Sequence, residues 1–149
     1  MHVNAISKRA STKIFVLRQL KPFLTVPELV TIYNNCIRSI LEYCAPLFVG
    51  LNSTLANIIE NVQSRSHRII CGSSQCNCAY FVPLSYRRLM IGASLFKCMV
   101  NNEDHVLHHL VPKKIKYSRK YCMPECSLVL RRNCFILTMI RLFNSGFCS

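Results

Sequence analysis

The sequence predicts an all-α fold: a small bundle of about four helices with a basic, less ordered C-terminal section. Three observations predict it. Apolar residues recur at spacings of three and four through the first two thirds of the chain. Pro, Gly and small polar residues stand where those runs begin and end. Beyond them the periodicity fades into a stretch dominated by Lys and Arg.

The first helix is expected from His2 to Lys21. Val3, Ile6, Ala10, Ile14 and Leu17 share one face, while Lys8, Arg9, Lys13, Arg18 and Lys21 wrap round the remainder. Lys21 precedes Pro22, and a residue before Pro avoids helical backbone angles. Thr25-Val26-Pro27-Glu28 then reads as a capping box, with Thr25 as N-cap and Pro27 in the first turn, where its missing N–H costs nothing. The second helix carries an apolar stripe of Leu29, Tyr33, Cys36, Ile37, Ile40 and Cys44, with Pro46 at the exit. Any of Asn52, Ser53 and Thr54 suits the N-cap of the third helix. Leu55, Ile58, Ile59, Val62, Ser66, Ile69 and Ile70 lie on one side of it, and Gly72 stops it. Ile58, Val62 and Ile69 are expected to pack against Tyr33, Ile37 and Ile40.

Residues 73–83 read as a loop. A fourth helix is expected from about Ser85 to Val100, with Tyr86, Leu89, Ala93, Phe96 and Val100 aligned. His105 to Leu110 has room for one helical turn. Phe135 to Phe143 is apolar but too short for its period to separate strand from helix. The expected organisation is a helical domain over 1–111 and a basic C-terminal segment over 112–149.

Of the 149 residues, 51% are hydrophobic and 17% charged, enough apolar material for a core and too much for a disordered chain. The formal charge is +13. It is concentrated at the ends: residues 1–27 hold five basic and no acidic residues, and residues 105–149 hold eight basic and one acidic. Such an excess favours an anionic partner, here RNA or DNA. No membrane is expected, because no apolar run approaches the roughly 20 residues of a span. The N-terminal cations do not fit a secretory leader. An intracellular, reducing compartment, nucleus or cytoplasm, is therefore expected, with the ten cysteines as thiols. Cys36, Cys44 and Cys98 fall on apolar faces, where a thiol packs as a small hydrophobe.

Catalysis is not expected, and no cofactor is implied. Two-metal phosphoryl transfer needs convergent carboxylates, whereas the single Asp, Asp104, stands beside Glu103 with no other acid near in sequence. Nucleotide-binding and nucleophile-elbow signatures are missing too. Cys122 and Cys126, with His108 and His109 upstream, have ligand-like spacing, so a zinc-stabilised binding module is the alternative. The stronger feature is cationic. Lys113, Lys114, Lys116, Arg119 and Lys120 interleave with Tyr117 and Tyr121, a pattern suited to phosphates and stacked bases. Arg65 and Arg68 lie one turn apart on the third helix, and Arg131 and Arg132 adjoin near the end.

Four stretches carry a resemblance: HVNAISKRASTKIFVLRQLK, IYNNCIRSILEYCAPLFVG with its Leu41-Glu42-Tyr43 core, IENVQSRSHRIICG with its Gln-x-Arg-x-x-Arg-Ile-Ile element, and RRNCFILTMIRLFN. In order and spacing they resemble the C-terminal, post-palm region of the reverse transcriptase of non-LTR (LINE-type) retrotransposons, in the jockey and chicken-repeat branch. The resemblance implies a thumb or connection region that binds template, primer or element RNA. It implies the palm domain of a longer polymerase as partner and no catalysis here, since the family's Asp-Asp box belongs upstream. A non-functional relic of such an element is the remaining alternative.

Overall fold

The computed structural model describes residues 2–72, 81–116, 118, 120–125 and 134–146. The fold is all-α. Among the described residues the one β feature is an isolated antiparallel bridge between Lys114 and Tyr121. The chain divides into two compact units, Met1–Tyr43 with Asn52–Arg87, and Cys44–Leu51 with Arg88–Ser149.

The first unit begins with α1, His2–Leu20, which buries Val3, Ile6, Ala10, Ile14 and Leu17, the stripe expected from its spacing. α2, Val26–Ile32, opens on the expected box: the Glu28 carboxylate accepts from the Thr25 N–H at 2.8 Å and from its hydroxyl at 2.7 Å. The helix then widens into a π-helical segment, Tyr33–Arg38, before α3, Ser39–Leu41. The buried residues explain the widening. Leu29, Tyr33, Ile37 and Leu41 are all at most 1% exposed and stand four apart. On a helix of 3.6 residues per turn, steps of four drift by about 40° each. Turns that take in an extra residue bring the four side chains back into line. Cys36, expected on this stripe, is exposed because the widened turn carries it past the core; Cys98 is exposed as well. After α3 the chain breaks at Cys44, the only non-Gly residue with positive φ (57°) among those described.

α4, Ser53–Cys71, is capped by Asn52, whose side chain accepts from the Leu55 N–H at 2.9 Å, and is closed by Gly72 at φ 77°. Its buried face is Ile59, Val62, Gln63, Ser66 and Ile70. Ile58 and Ile69, expected in the core, are only half-buried. The face is turned toward Gln63 because Gln63 has partners there. The Tyr33 hydroxyl donates to its Oε1 at 2.8 Å, and its Nε2 donates to the Val82 carbonyl at 3.0 Å. Burial pushes the Tyr33 hydroxyl far above its ordinary pKa, so it stays a donor. α1 and α4 run parallel, since Arg18 shares a cleft with Arg65 and Arg68, and Lys21 Nζ lies near Gly72 one turn further on.

α5, Leu84–Asn101, starts where Glu60 accepts from the Leu84 and Ser85 N–H groups at 3.3 and 2.7 Å, a carboxylate on a helix N-terminus. The division between the units falls within α5, after Arg87. Leu84, Arg88, Ala93, Phe96 and Met99 are buried: Ala93 and Phe96 of the expected face lie in the core, whereas Tyr86 at its start is 51% exposed.

In the second unit α6, Phe135–Asn144, resolves the ambiguous apolar run as helix. Its Leu137, Met139 and Ile140 join Ala93, Phe96 and Tyr121 in a core bordered by Val49, Phe135 and Phe143. α6 also packs on the 3-10 turn Ala45–Phe48. Gly92 lets α5 approach both Val49 and α6: a Cβ there would stand 3.0 Å from Val49 Cγ2 and 3.3 Å from Met139 Cε. The expected turn after α5 is the 3-10 helix His108–Leu110.

Candidate nucleic-acid interface

The expected cations fall on distinct surfaces. In the first unit Lys8, Arg9, Lys13 and Arg18 are all exposed on α1. They face different ways: Arg9 lines a groove of about 370 Å³ with His2, Ser39, Ile40 and Tyr43, while Arg18 lines a smaller cleft of about 230 Å³. The other walls of that smaller cleft are Arg65, Arg68 and Ile69 of α4. Helix geometry produces this arrangement. Residues three apart lie on neighbouring turns of one face, so Arg65 and Arg68 project together, with Ile69 half-buried beneath.

In the second unit Lys113, Lys114, Lys116 and Lys120 are exposed on a chain reversal. The Ile115 N–H donates to the Lys120 carbonyl at 2.9 Å and the Cys122 N–H to the Lys113 carbonyl at 3.0 Å. Asn144 at the end of α6 holds the reversal. Its Oδ1 accepts from the Tyr121 N–H at 2.9 Å and its Nδ2 donates to the Tyr121 carbonyl at 3.0 Å, so one amide stands in for a pairing strand. Tyr121, expected to stack on bases, is 3% exposed instead. Its ring meets Phe96 and Phe143 edge-on at 6.0 and 5.3 Å, and Lys114 Nζ lies 5.8 Å from its centroid. A ring so enclosed has no free face for a base. A groove of about 620 Å³ is lined by Tyr121 and Phe143 together with Lys114, Lys120, Asn101 and Asn144. Tyr117, Arg119, Arg131 and Arg132 lie outside the described residues.

None of these described cations makes an ion pair. The ion pairs among the described residues belong to Glu42, which is approached by Arg38 Nε at 3.8 Å and is hydrogen-bonded by Arg87 through Nε and, at 3.1 Å, through Nη2. That hydrogen bonding raises the Arg87 pKa further above its ordinary value. Glu42 thus takes up two structural arginines and pairs with none of the candidate cations.

No protein family, curated protein or solved structure matches the chain. The functional reading therefore rests on this geometry and on the residues of the sequence. For zinc, Cys122 is exposed and Cys126 lies outside the described residues. His108 and His109 each engage a backbone carbonyl through Nδ1, of Met99 at 2.7 Å and of Val106 at 2.8 Å. Among the described residues no group of three or more His, Cys, Asp and Glu is placed to hold a metal ion. Among the same residues no helix is long and apolar enough to cross a membrane.

Sequence reasoning missed Glu42, Gln63 and Asn144 as organising residues. The Arg38–Glu42 spacing of four was a legible signal. Gln63 and Asn144 act through partners 19 to 30 residues away, which helical spacing does not report.

Proposed function

We propose that this chain is a non-catalytic nucleic-acid-binding module, of the kind that follows the palm in a non-LTR retrotransposon reverse transcriptase. It binds RNA or DNA backbone through its cations and acts beside a polymerase palm carried on a longer protein. The observation that carries the reading is the set of exposed cations on both units that no described carboxylate pairs with. The motif resemblance supports the retroelement context. Glu42 of the Leu-Glu-Tyr element and Gln63 of the Gln-x-Arg-x-x-Arg element hold the first unit together, while Arg65 and Arg68 of the latter face outward.

Cations that neutralise phosphates release counterions, so affinity falls with salt and depends weakly on sequence. If Lys113, Lys114, Lys116, Arg119 and Lys120 together neutralise about three phosphates, log affinity against log salt has a slope of about −2 to −3. Reversing all five to Glu flattens that slope and weakens binding without changing the helical circular dichroism. A charge-reversed protein that binds as tightly, with the same slope, removes the hairpin from the interface. Primer extension with magnesium or manganese is expected to be nil, because the convergent carboxylates that hold such metals are missing from the sequence. Template-dependent incorporation by the pure chain overturns the non-catalytic assignment.

A further inference from the structure

We propose that Arg18, Arg65 and Arg68 form a discrete phosphate subsite for a single nucleic-acid strand, with Phe15 stacking on the neighbouring base. The proposal rests on the nucleic-acid reading above and makes it specific to one place and one form of the polymer.

Because α1 and α4 are parallel, their C-terminal ends lie together, and each contributes about half a negative charge. Arg18 and Arg68, in the last turns of the two helices, are well placed against those ends. The cations outnumber what the ends require. Arg18, Lys21, Arg65 and Arg68 bring four positive charges to this end of the unit. The two helix ends, together with the Glu28 carboxylate eight residues after Leu20 in the chain, offset at most about two of them. Residues 73–80, which follow Gly72, contain no charged side chain. About two positive charges therefore remain around the cleft, with no described ion pair to absorb them.

The cleft's three cations are all guanidiniums, planar forks that grip two phosphate oxygens at once, unlike the point charge of an ammonium. Phe15 is 62% exposed and stands three residues before Arg18, on the adjoining turn of the same helix face. An exposed phenyl ring one turn from a phosphate grip matches the repeat of base and backbone in an unpaired strand. In a duplex the bases are stacked on one another and offer no face to it.

The test is fluorescence anisotropy of the full chain with a short labelled oligothymidylate, alone and annealed to its complement, over a salt series. Arg65→Gln is the cleft variant, Phe15→Ala the stacking variant, and Lys97→Gln, an exposed cation on α5, the equal-charge control. The expected result for Arg65→Gln is affinity for the single strand lower by about tenfold, with a salt slope shallower by about 0.7, the increment for one phosphate on a single strand. Phe15→Ala weakens single-strand binding by about fivefold or more at an unchanged slope and leaves duplex binding as it was. Lys97→Gln changes neither quantity.

If Arg65→Gln behaves like Lys97→Gln while the parent binds, the subsite is overturned and the broader reading stands. If the duplex binds as tightly as the single strand and Phe15→Ala has no effect, the strand assignment is overturned. If the parent binds no oligonucleotide at any salt, both readings fail. Arginine side-chain NMR with inorganic phosphate then separates the causes: shifts confined to Arg18, Arg65 and Arg68 locate a site for small phosphates in place of a polymer.

Discussion

In the first unit the guanidiniums of Arg18, Arg65 and Arg68 project from two packed helices, each fixed by a buried apolar face. In the second, the ammoniums of Lys113, Lys114, Lys116 and Lys120 project from a chain reversal held by a few backbone hydrogen bonds and one asparagine. The surfaces carry similar charge, but the work of holding it in place differs. Helices whose cores are closed position a cation at no further cost when a ligand arrives, whereas a reversal tied at one edge must be kept from opening. Both cores combine aliphatic side chains with an aromatic cluster: Phe81 against Tyr33 and His67, beside the buried Tyr–Gln pair, in the first unit, and Tyr121 with Phe96 and Phe143 in the second.

The largest test of this contrast is in the first unit. Ile59 is fully buried, so Ile59→Ala is expected to cost about 2–5 kcal/mol. Ile69→Ala, at a half-buried position beneath the arginine cleft, should cost under half as much. Urea denaturation of both variants checks the ranking, and equal losses would mean that the face of α4 is wrongly placed. Next is Glu42→Ala, which strips Arg87 and Arg38 of their carboxylate and should cost about 1.5–3 kcal/mol. The same melts should show salt restoring none of it, since the side chain of Glu42 is only 15% exposed and poorly screened.

Asn144→Ala addresses the second unit. Both backbone groups of Tyr121 lose their partner, at about 1–2 kcal/mol. Hydrogen exchange is the discriminating measurement: the amides of Ile115, Tyr121 and Cys122 should exchange faster, and those of α1 and α4 should not. Acceleration throughout the chain would mean that the reversal is no separate, weaker element. The smallest effect is at Glu28. Its carboxyl is held below the ordinary value of 4.5, first by the Thr25 hydroxyl and then by the Thr25 N–H. A depressed carboxylate pKa stabilises the fold above that ordinary value, and the contribution is lost as pH falls through the folded-state value. Thr25→Ala should return the Glu28 titration, followed by NMR, toward 4.5.

Legibility in the sequence followed the range of the forces involved. α1 was readable residue by residue, because its buried set is wholly apolar and regularly spaced. The capping box of α2 and the Gly72 stop were readable because caps are local chemistry. The face of α4 was readable only to within a turn, since Gln63 is drawn inward by Tyr33 and Val82, which lie 30 and 19 residues away. In α5 the expected Ala93 and Phe96 are buried, but in the first turns Leu84 and Arg88 are buried in place of the more obvious Tyr86. At the candidate interface the cations were found by composition, but their grouping was not. Nothing in spacing says that Arg18 meets Arg65 and Arg68 while Arg9 faces another groove. Tyr121 stands among lysines and so suggests a surface ring, yet the alternation of a β-bridge turns it inward.

The widened turns between Tyr33 and Arg38 act as a phase correction along one rod. Upstream of them the helix keeps time with the loop that leads from α1; downstream it must deliver Leu41 to the core and Glu42 to Arg87. A single-residue deletion inside the segment would leave a smoother helix and a worse protein, because everything after it would swing by about 100°. Leu41 would turn away from the apolar face, and the carboxylate that disposes of two arginines would point elsewhere. Insertions and deletions, not point substitutions, are therefore the changes to which this stretch is least forgiving, even though none of its exposed side chains touches a candidate ligand surface.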